Sequence, residues 1–294
     1  MTESPAHGQT AMPALFHAAD QSSQTSQRRF LRLTTAQLLL LAAAAATTIA
    51  TWRSGDINYA ALVGAAAIVF AGVMRVQIQI TNPMKTWYQG RAAAESVKTL
   101  AWRYAVGGEP FSVTLSEADV DQRFVERLHE VIVDLDGLDI VEVEDLEEIT
   151  PWMRETRRRQ LDERKQTYEG ERIRDQRAWY SNKSKWNSRR ANLWGTAMLG
   201  FEAFAVLQAL LKATSVVDVN LLAFTATVIA GIAAWIQTKD FHTLASAYAV
   251  ASRELSTINS LIRHQDTEDD WARFIADSED AISREHTLWR ASRK

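Results

Sequence analysis

Four windows almost free of charge constrain this chain more than any other feature: Leu33 to Trp52, Ile57 to Met74, Ala191 to Leu211 and Val219 to Thr238. Three hold no ionised side chain, and Ala191 to Leu211 holds Glu202 alone. A helix of about 20 apolar residues rises about 30 Å, which matches the hydrocarbon core of a bilayer. The competing reading is four buried helices of a soluble protein, and the Ala-rich first window is only moderately apolar. Two close pairs of such windows are nonetheless hard to hide in the core of a 294-residue chain. The expected fold is therefore an all-α membrane protein: two transmembrane helical hairpins, four spans, with long cytoplasmic helices forming a stalk or bundle.

Each pair is joined by a short link, "RSGD" at Arg53 to Asp56 and "KATSVVD" at Lys212 to Asp218. Basic residues flank the other ends of the spans: Arg28, Arg29 and Arg32, then Arg75, Lys85 and Arg91, then Lys183, Lys185, Arg189 and Arg190. The positive-inside bias places both termini and the middle segment in the cytoplasm of a multi-pass protein of the cell (inner) membrane. Met1 to Gln27 is polar, lacks the layout of a secretory signal, and reads as a disordered tail. The expected blocks are 1–27 as tail, 28–108 as first hairpin and following helix, 109–150 as acidic connector, and 151–294 as a second domain with a long basic helix, a hairpin and C-terminal helices. "MKTWYQGRAAAESVKTLAWRY" after one hairpin and "KDFHTLASAYAVASRELSTINSLI" after the other suggest an architectural duplication.

Charge is split between the hairpins. Glu109 to Glu148 carries 14 acidic and 2 basic residues, whereas Met153 to Arg190 carries 6 acidic and 13 basic. The halves can neutralise one another, which argues against nucleic acid as a partner, since phosphates need a basic face left open. Ser116 reads as a helix cap, as does Thr150 ahead of Pro151. "GLDIVEVEDL", 137–146, is the one plausible strand. From Pro151 to Leu211 no further proline occurs, so one long helix is expected, with Gly195 as a bending point. On it, Tyr168, Arg172, Gln176, Trp179, Lys183, Trp186 and Arg190 share an arc of about 80° and form a stripe about 33 Å long. The stripe reads either as packing, with aromatics in the core and basic heads snorkelling, or as a surface on which Arg172, Gln176 and Lys183 receive an acidic helix, a partner protein or an anionic signal.

Catalytic and cofactor signatures are missing from the sequence. It has no cysteine, no phosphate-cradling glycine loop and no zinc-protease motif, and its six histidines are scattered. No enzyme activity, metal or cofactor is expected. Glu202 stands apart, because an ionised carboxylate inside a span is costly unless it faces protein or water. Thr227, at a similar depth in the fourth span, is its expected hydrogen-bond partner. The pair reads as packing glue or as the lining of a cation-selective pore assembled from several subunits. Gly64, Ala67, Ala71, Gly72, Gly195, Gly200, Gly231 and Ala234 are expected to let the spans pack closely.

The spacing Arg164, Tyr168, Arg172–Ile173, Gln176, Trp179–Tyr180, Lys183, Asn187 resembles the opening of a SLATT domain, a prokaryotic two-transmembrane effector module. "FIADSEDAISREHTLW", Phe274 to Trp289, is similar to that family's carboxyl end, and "KTWYQGRAAAESVKTLAWRY" resembles the helix after the hairpin in a related subfamily that often precedes it in tandem. The resemblance implies a membrane effector of nucleotide-signalled antiphage or conflict systems, proposed to form pores that depolarise the cell. It also implies a homo-oligomer in the lipid bilayer and a separate nucleotide-synthesising or nucleotide-sensing partner. A constitutive small-ion channel or transporter, and a non-conducting membrane scaffold, are the alternative functions.

Overall fold

The computed structural model describes residues 12–50, 52–133, 147–215 and 221–291, with side chains through 283. These residues form ten α-helices and one two-stranded turn. They fall into two compact units that run across the expected sequence blocks: one holds Gln27–Pro83 and Lys185–Ala245, the other Met1–Ser26, Met84–Ser184 and Ser246–Lys294.

The apolar unit is built from α1 (Ala14–Ala46), α2 (Tyr59–Thr81), α7 (Asp175–Ala213) and α8 (Leu222–Lys239), with α1 and α7 entering it part-way along their length. Strands β1 (Arg53–Ser54) and β2 (Ile57–Asn58) turn the first hairpin, pairing Arg53 with Asn58 and Ser54 with Ile57. Gly55 occupies the left-handed conformation, φ +59°, that the two-residue turn needs. Asn58 then caps α2 by accepting from the Ala61 N–H at 3.2 Å. Large apolar side chains point away from protein: Val69 is 65% exposed and Leu199 66%. Among the described residues, four helices are long and apolar enough to cross a membrane. Apolar surface on this scale is covered by lipid rather than water. This is an all-α, multi-pass membrane protein.

Small residues form the buried face of α2 in the first hairpin. Ala60, Gly64, Ala67 and Ala71 are the buried face of α2, and a Cβ on Gly64 would lie 2.4 Å from Thr47 Oγ1. By contrast, Gly72, Gly195, Gly200 and Gly231 have nothing within 4 Å of where a Cβ would be. The close packing expected at these four positions is not present, and α7 continues as helix through Gly195.

The helical unit holds the start of α1, α3 (Pro83–Val106), α4 (Glu117–Val133), α5 (Pro151–Arg158), α6 (Leu161–Thr167), the first turns of α7, most of α9 (Phe241–Leu261) and α10 (Glu268–Ala291). Two expected caps are in place. The Asp119 N–H donates to Ser116 Oγ at 3.2 Å and the Met153 N–H to Thr150 Oγ1 at 3.3 Å. Its core is aromatic: Trp102 meets Trp152 edge-on at 5.0 Å and Tyr168 at 5.8 Å, and Tyr168 meets Trp271 at 5.8 Å. The acidic and basic segments do answer one another, through Arg154–Asp121 at 2.6 Å and Arg158–Glu117 at 2.7 Å.

Two sequence expectations change. The stretch assigned to a disordered tail is helical from Ala14, with Met12, Leu15, Phe16 and Ala19 buried in the core. Sparse as they are, these apolar residues recur on one face, and Glu148 accepts from the Leu15 N–H at the helix start. Residues 1–11 of that stretch, and the expected strand 137–146, lie outside the described residues. Finally, the single helix from Pro151 to Leu211 is interrupted twice. Arg159 and Gln160 are extended, and Tyr168–Arg174 is π-helical.

The two hairpins share one joint. Asn82 follows α2 with φ 36° and donates its N–H to Ile78 O; Asp240 follows α8 with φ 47° and donates to Ile236 O. A left-handed residue at each helix end satisfies an orphan carbonyl and redirects the chain into α3 and α9. The duplication read in the sequence is therefore repeated in backbone geometry.

Candidate functional site

The most constrained polar group of the helical unit is Glu279. It sits on the buried face of α10 between Ile275 and Ile282, and both it and Arg172 are 0% exposed. Arg172 donates from Nε to Oε1 at 2.8 Å and from Nη2 to Oε2 at 2.5 Å. Tyr168 donates its hydroxyl to Oε1 at 2.9 Å, and Thr99, from α3, donates to Oε2 at 3.1 Å. Four donors fill the acceptor positions of one carboxylate. With its amide oxygen turned toward them, Gln176 accepts from Arg172 Nη1 and from Lys98 Nζ, each at 2.9 Å. Burial alone would lower the Arg172 guanidinium, but the charge and hydrogen bonds of Glu279 outweigh it and hold it above the ordinary arginine value. Burial, and then the adjacent carboxylate, raise the Tyr168 phenol well above its usual 10.

The π-helical turn makes this cluster possible. Hydrogen bonds from i to i+5 widen the turn, so Tyr168, Arg172 and Ile173 all face inward. In a regular α-helix Ile173 would point about 140° away from Tyr168. The upstream arginines are internal as well. Arg164, 1% exposed, donates to Val106 O at 2.7 Å and Arg159 O at 3.1 Å and pairs with Glu268. Arg157 donates to Phe111 O and Ser112 O at 2.6 Å each, and burial lowers its pKa. The Glu279 cluster is sealed, and both carboxylate oxygens are hydrogen-bonded. It is a fastening between α3, the π turn and α10.

The predicted stripe thus has different fates along its length. Tyr168 and Arg172 are sealed in the core, Gln176 closes the edge of the cluster, and Trp179 stacks edge-on against Tyr248 of α9 at 5.5 Å with Lys183 Nζ 5.0 Å above its ring. The carboxylate that meets Arg172 comes from α10 of its own chain. In the apolar unit, Arg190 lies 5.2 Å over the Trp186 ring, and Trp186 packs edge-on against Phe241. Arg164, Tyr168, Arg172, Ile173, Tyr180 and Asn187 are all buried, so the motif spacing records inward-facing positions.

Two family models cover nearly the whole chain: SMODS and SLOG-associating 2TM effector domain 3 over residues 13–165, and SMODS and SLOG-associating 2TM effector domain 1 over residues 168–289. The chain belongs to the SLATT family. It is a tandem of two two-transmembrane effector domains. No curated protein and no solved structure matches it. The first SLATT match begins where α1 begins, and the two meet where the π turn starts. Arg164 therefore closes the first SLATT domain, whereas Tyr168 and Arg172 open the second.

The polar groups inside the SLATT spans pair differently from expectation. Thr227 donates its hydroxyl to Ala223 O of its own helix at 2.9 Å, while Glu202 is half-buried on α7. The bond that bridges the second hairpin instead joins Gln208 Nε2 to Thr225 Oγ1 at 3.0 Å, with Thr225 2% exposed. Gln208 lies about 9 Å along the helix from Glu202, a difference in depth that hydropathy cannot resolve. Among the described residues no group of His, Cys, Asp and Glu is placed to hold a metal ion. Glu279 and Thr99 were not singled out from the sequence. An acidic residue on the apolar face made by Trp271, Ile275 and Ile282 was the available signal.

Proposed function

We propose that this chain is a regulated pore-forming effector that depolarises the cell in nucleotide-signalled antiphage or conflict systems. The observation that carries this reading is the pairing of two effector domains, each with a two-span hairpin whose outer faces are apolar. Four spans enclose no wide channel, so conduction requires a homo-oligomer. Basic residues flanking the spans favour the inner membrane with both termini and the helical unit cytoplasmic. The trigger then arrives from a separate nucleotide-synthesising or nucleotide-sensing protein, or binds the cytoplasmic helices directly. Glu202 and Thr227 are the polar side chains placed along the path in this reading.

Inducible expression with a membrane-potential dye tests the proposal. Rapid collapse of the potential together with growth arrest supports it. Substrate-dependent flux without arrest would favour a channel or transporter, and an unchanged potential under every trigger would favour a scaffold. In the same assay Glu202→Gln should change ion selectivity or toxicity; unchanged currents and unchanged arrest remove Glu202 from the pore.

A further inference from the structure

We propose that the end of the second hairpin where α8 stops carries a built site for a phosphate group, supplied by an anionic lipid, in which Arg190 and Lys239 are the two ligating cations. Arg190 Cζ stands 5.2 Å from the Trp186 ring and Lys239 Nζ 5.6 Å from the Trp235 ring. Phe241 packs on Trp186 at 6.1 Å and Trp194 on Trp235 at 6.4 Å, so the ring under each cation is itself buttressed by a second aromatic. Trp186–Phe241 and Trp194–Trp235 join α7 to the end of α8 and the start of α9 on either side of Arg190, which brings Arg190 and Lys239 to the same end of the hairpin. Neither cation belongs to an ion pair among the described residues; both rest on ring faces. Aromatic quadrupoles fix where the cations sit without cancelling their charge.

Two adjacent cations, one of them partly dry, are unfavourable until an anion bridges them. A phosphate does so, offering several oxygens to a guanidinium and an ammonium at once. Membrane position selects the source. Lys239 is the last residue of an apolar span, and tryptophans lie under both cations, which is the composition of the headgroup layer. Lys239 also answers the negative end of the α8 dipole, but that role requires neither Arg190 nor the aromatic frame.

The test uses the full chain in nanodiscs of phosphatidylcholine doped with phosphatidylglycerol, with bound lipid counted by native mass spectrometry. Retention of phosphatidylglycerol over phosphatidylcholine should fall about five- to thirtyfold in Arg190→Gln/Lys239→Gln, as expected for one to two basic residues near a membrane surface. Arg190→Lys should keep most of the preference. Lys212→Gln, at the other end of the hairpin, should keep all of it. Inorganic phosphate is the competing probe. If it binds the parent and not the double variant while lipid preference is absent, the cation pair takes phosphate from solution and the lipid source is overturned. Equal phosphatidylglycerol retention by parent and double variant, at equal melting temperature, overturns the site.

Discussion

Replacing Arg172 with Met would leave the Glu279 carboxylate buried with two hydroxyl donors and no countercharge. Both side chains are fully enclosed, so neither water nor a rotamer change can relieve it. Breaking a buried pair by removing one partner costs about 3–5 kcal/mol, because the remaining charge is uncompensated. For a unit of this size a loss of about 1 kcal/mol lowers Tm by roughly 2–4 °C, so Arg172→Met should melt about 10 °C below the parent. Glu279→Leu should fall by a similar amount. The double variant Arg172→Met/Glu279→Leu removes both charges and should recover most of the loss, leaving a large favourable coupling in the cycle. Tryptophan fluorescence of the full chain in detergent at one fixed scan rate reads the transition, since Trp102 and Trp271 flank Tyr168 in the same core. Single variants within about 1 °C of the parent, or a double variant that falls by the sum of the singles, would refute the reasoning.

Other expectations follow from neighbouring geometry. Tyr168 stays protonated in the folded unit while its unfolded counterpart ionises near pH 10; stability should therefore be flat below pH 10 and fall above it by about 1.4 kcal/mol per pH unit, with Tyr168→Phe flattening that limb in an alkaline unfolding series. A Cβ on Gly90 would lie 2.9 Å from Ala19 O and 3.0 Å from the Ser23 amide, so Gly90→Ala should cost about 1–3 kcal/mol and speed proteolysis within 14–26. Thr225→Val removes the partner of Gln208 and should weaken the second hairpin by about 0.6–1.7 kcal/mol, read as an earlier transition in a detergent titration.

Hydropathy, caps and turns are local properties, and they were legible in the sequence. Four spans follow from unbroken apolar runs, the Ser116 and Thr150 caps from one residue each, and the first hairpin from the short link Arg53 to Asp56. The repeated joint at Asn82 and Asp240 matches a duplication visible as architecture. Tertiary structure alone decided what the arginines do. Arg172 and Glu279 are 107 residues apart, and nothing near Arg172 in the chain distinguishes a sealed cation from a solvated one. The 100° periodicity that defined the stripe also fails within Tyr168–Arg174, where a wider turn changes the register. The start of α1 is too poor in apolar residues to announce itself, and is helical because α3 approaches its backbone at Gly90. A membrane span is specified by its own side chains against a uniform solvent, whereas a buried charge is specified by whichever distant group meets it.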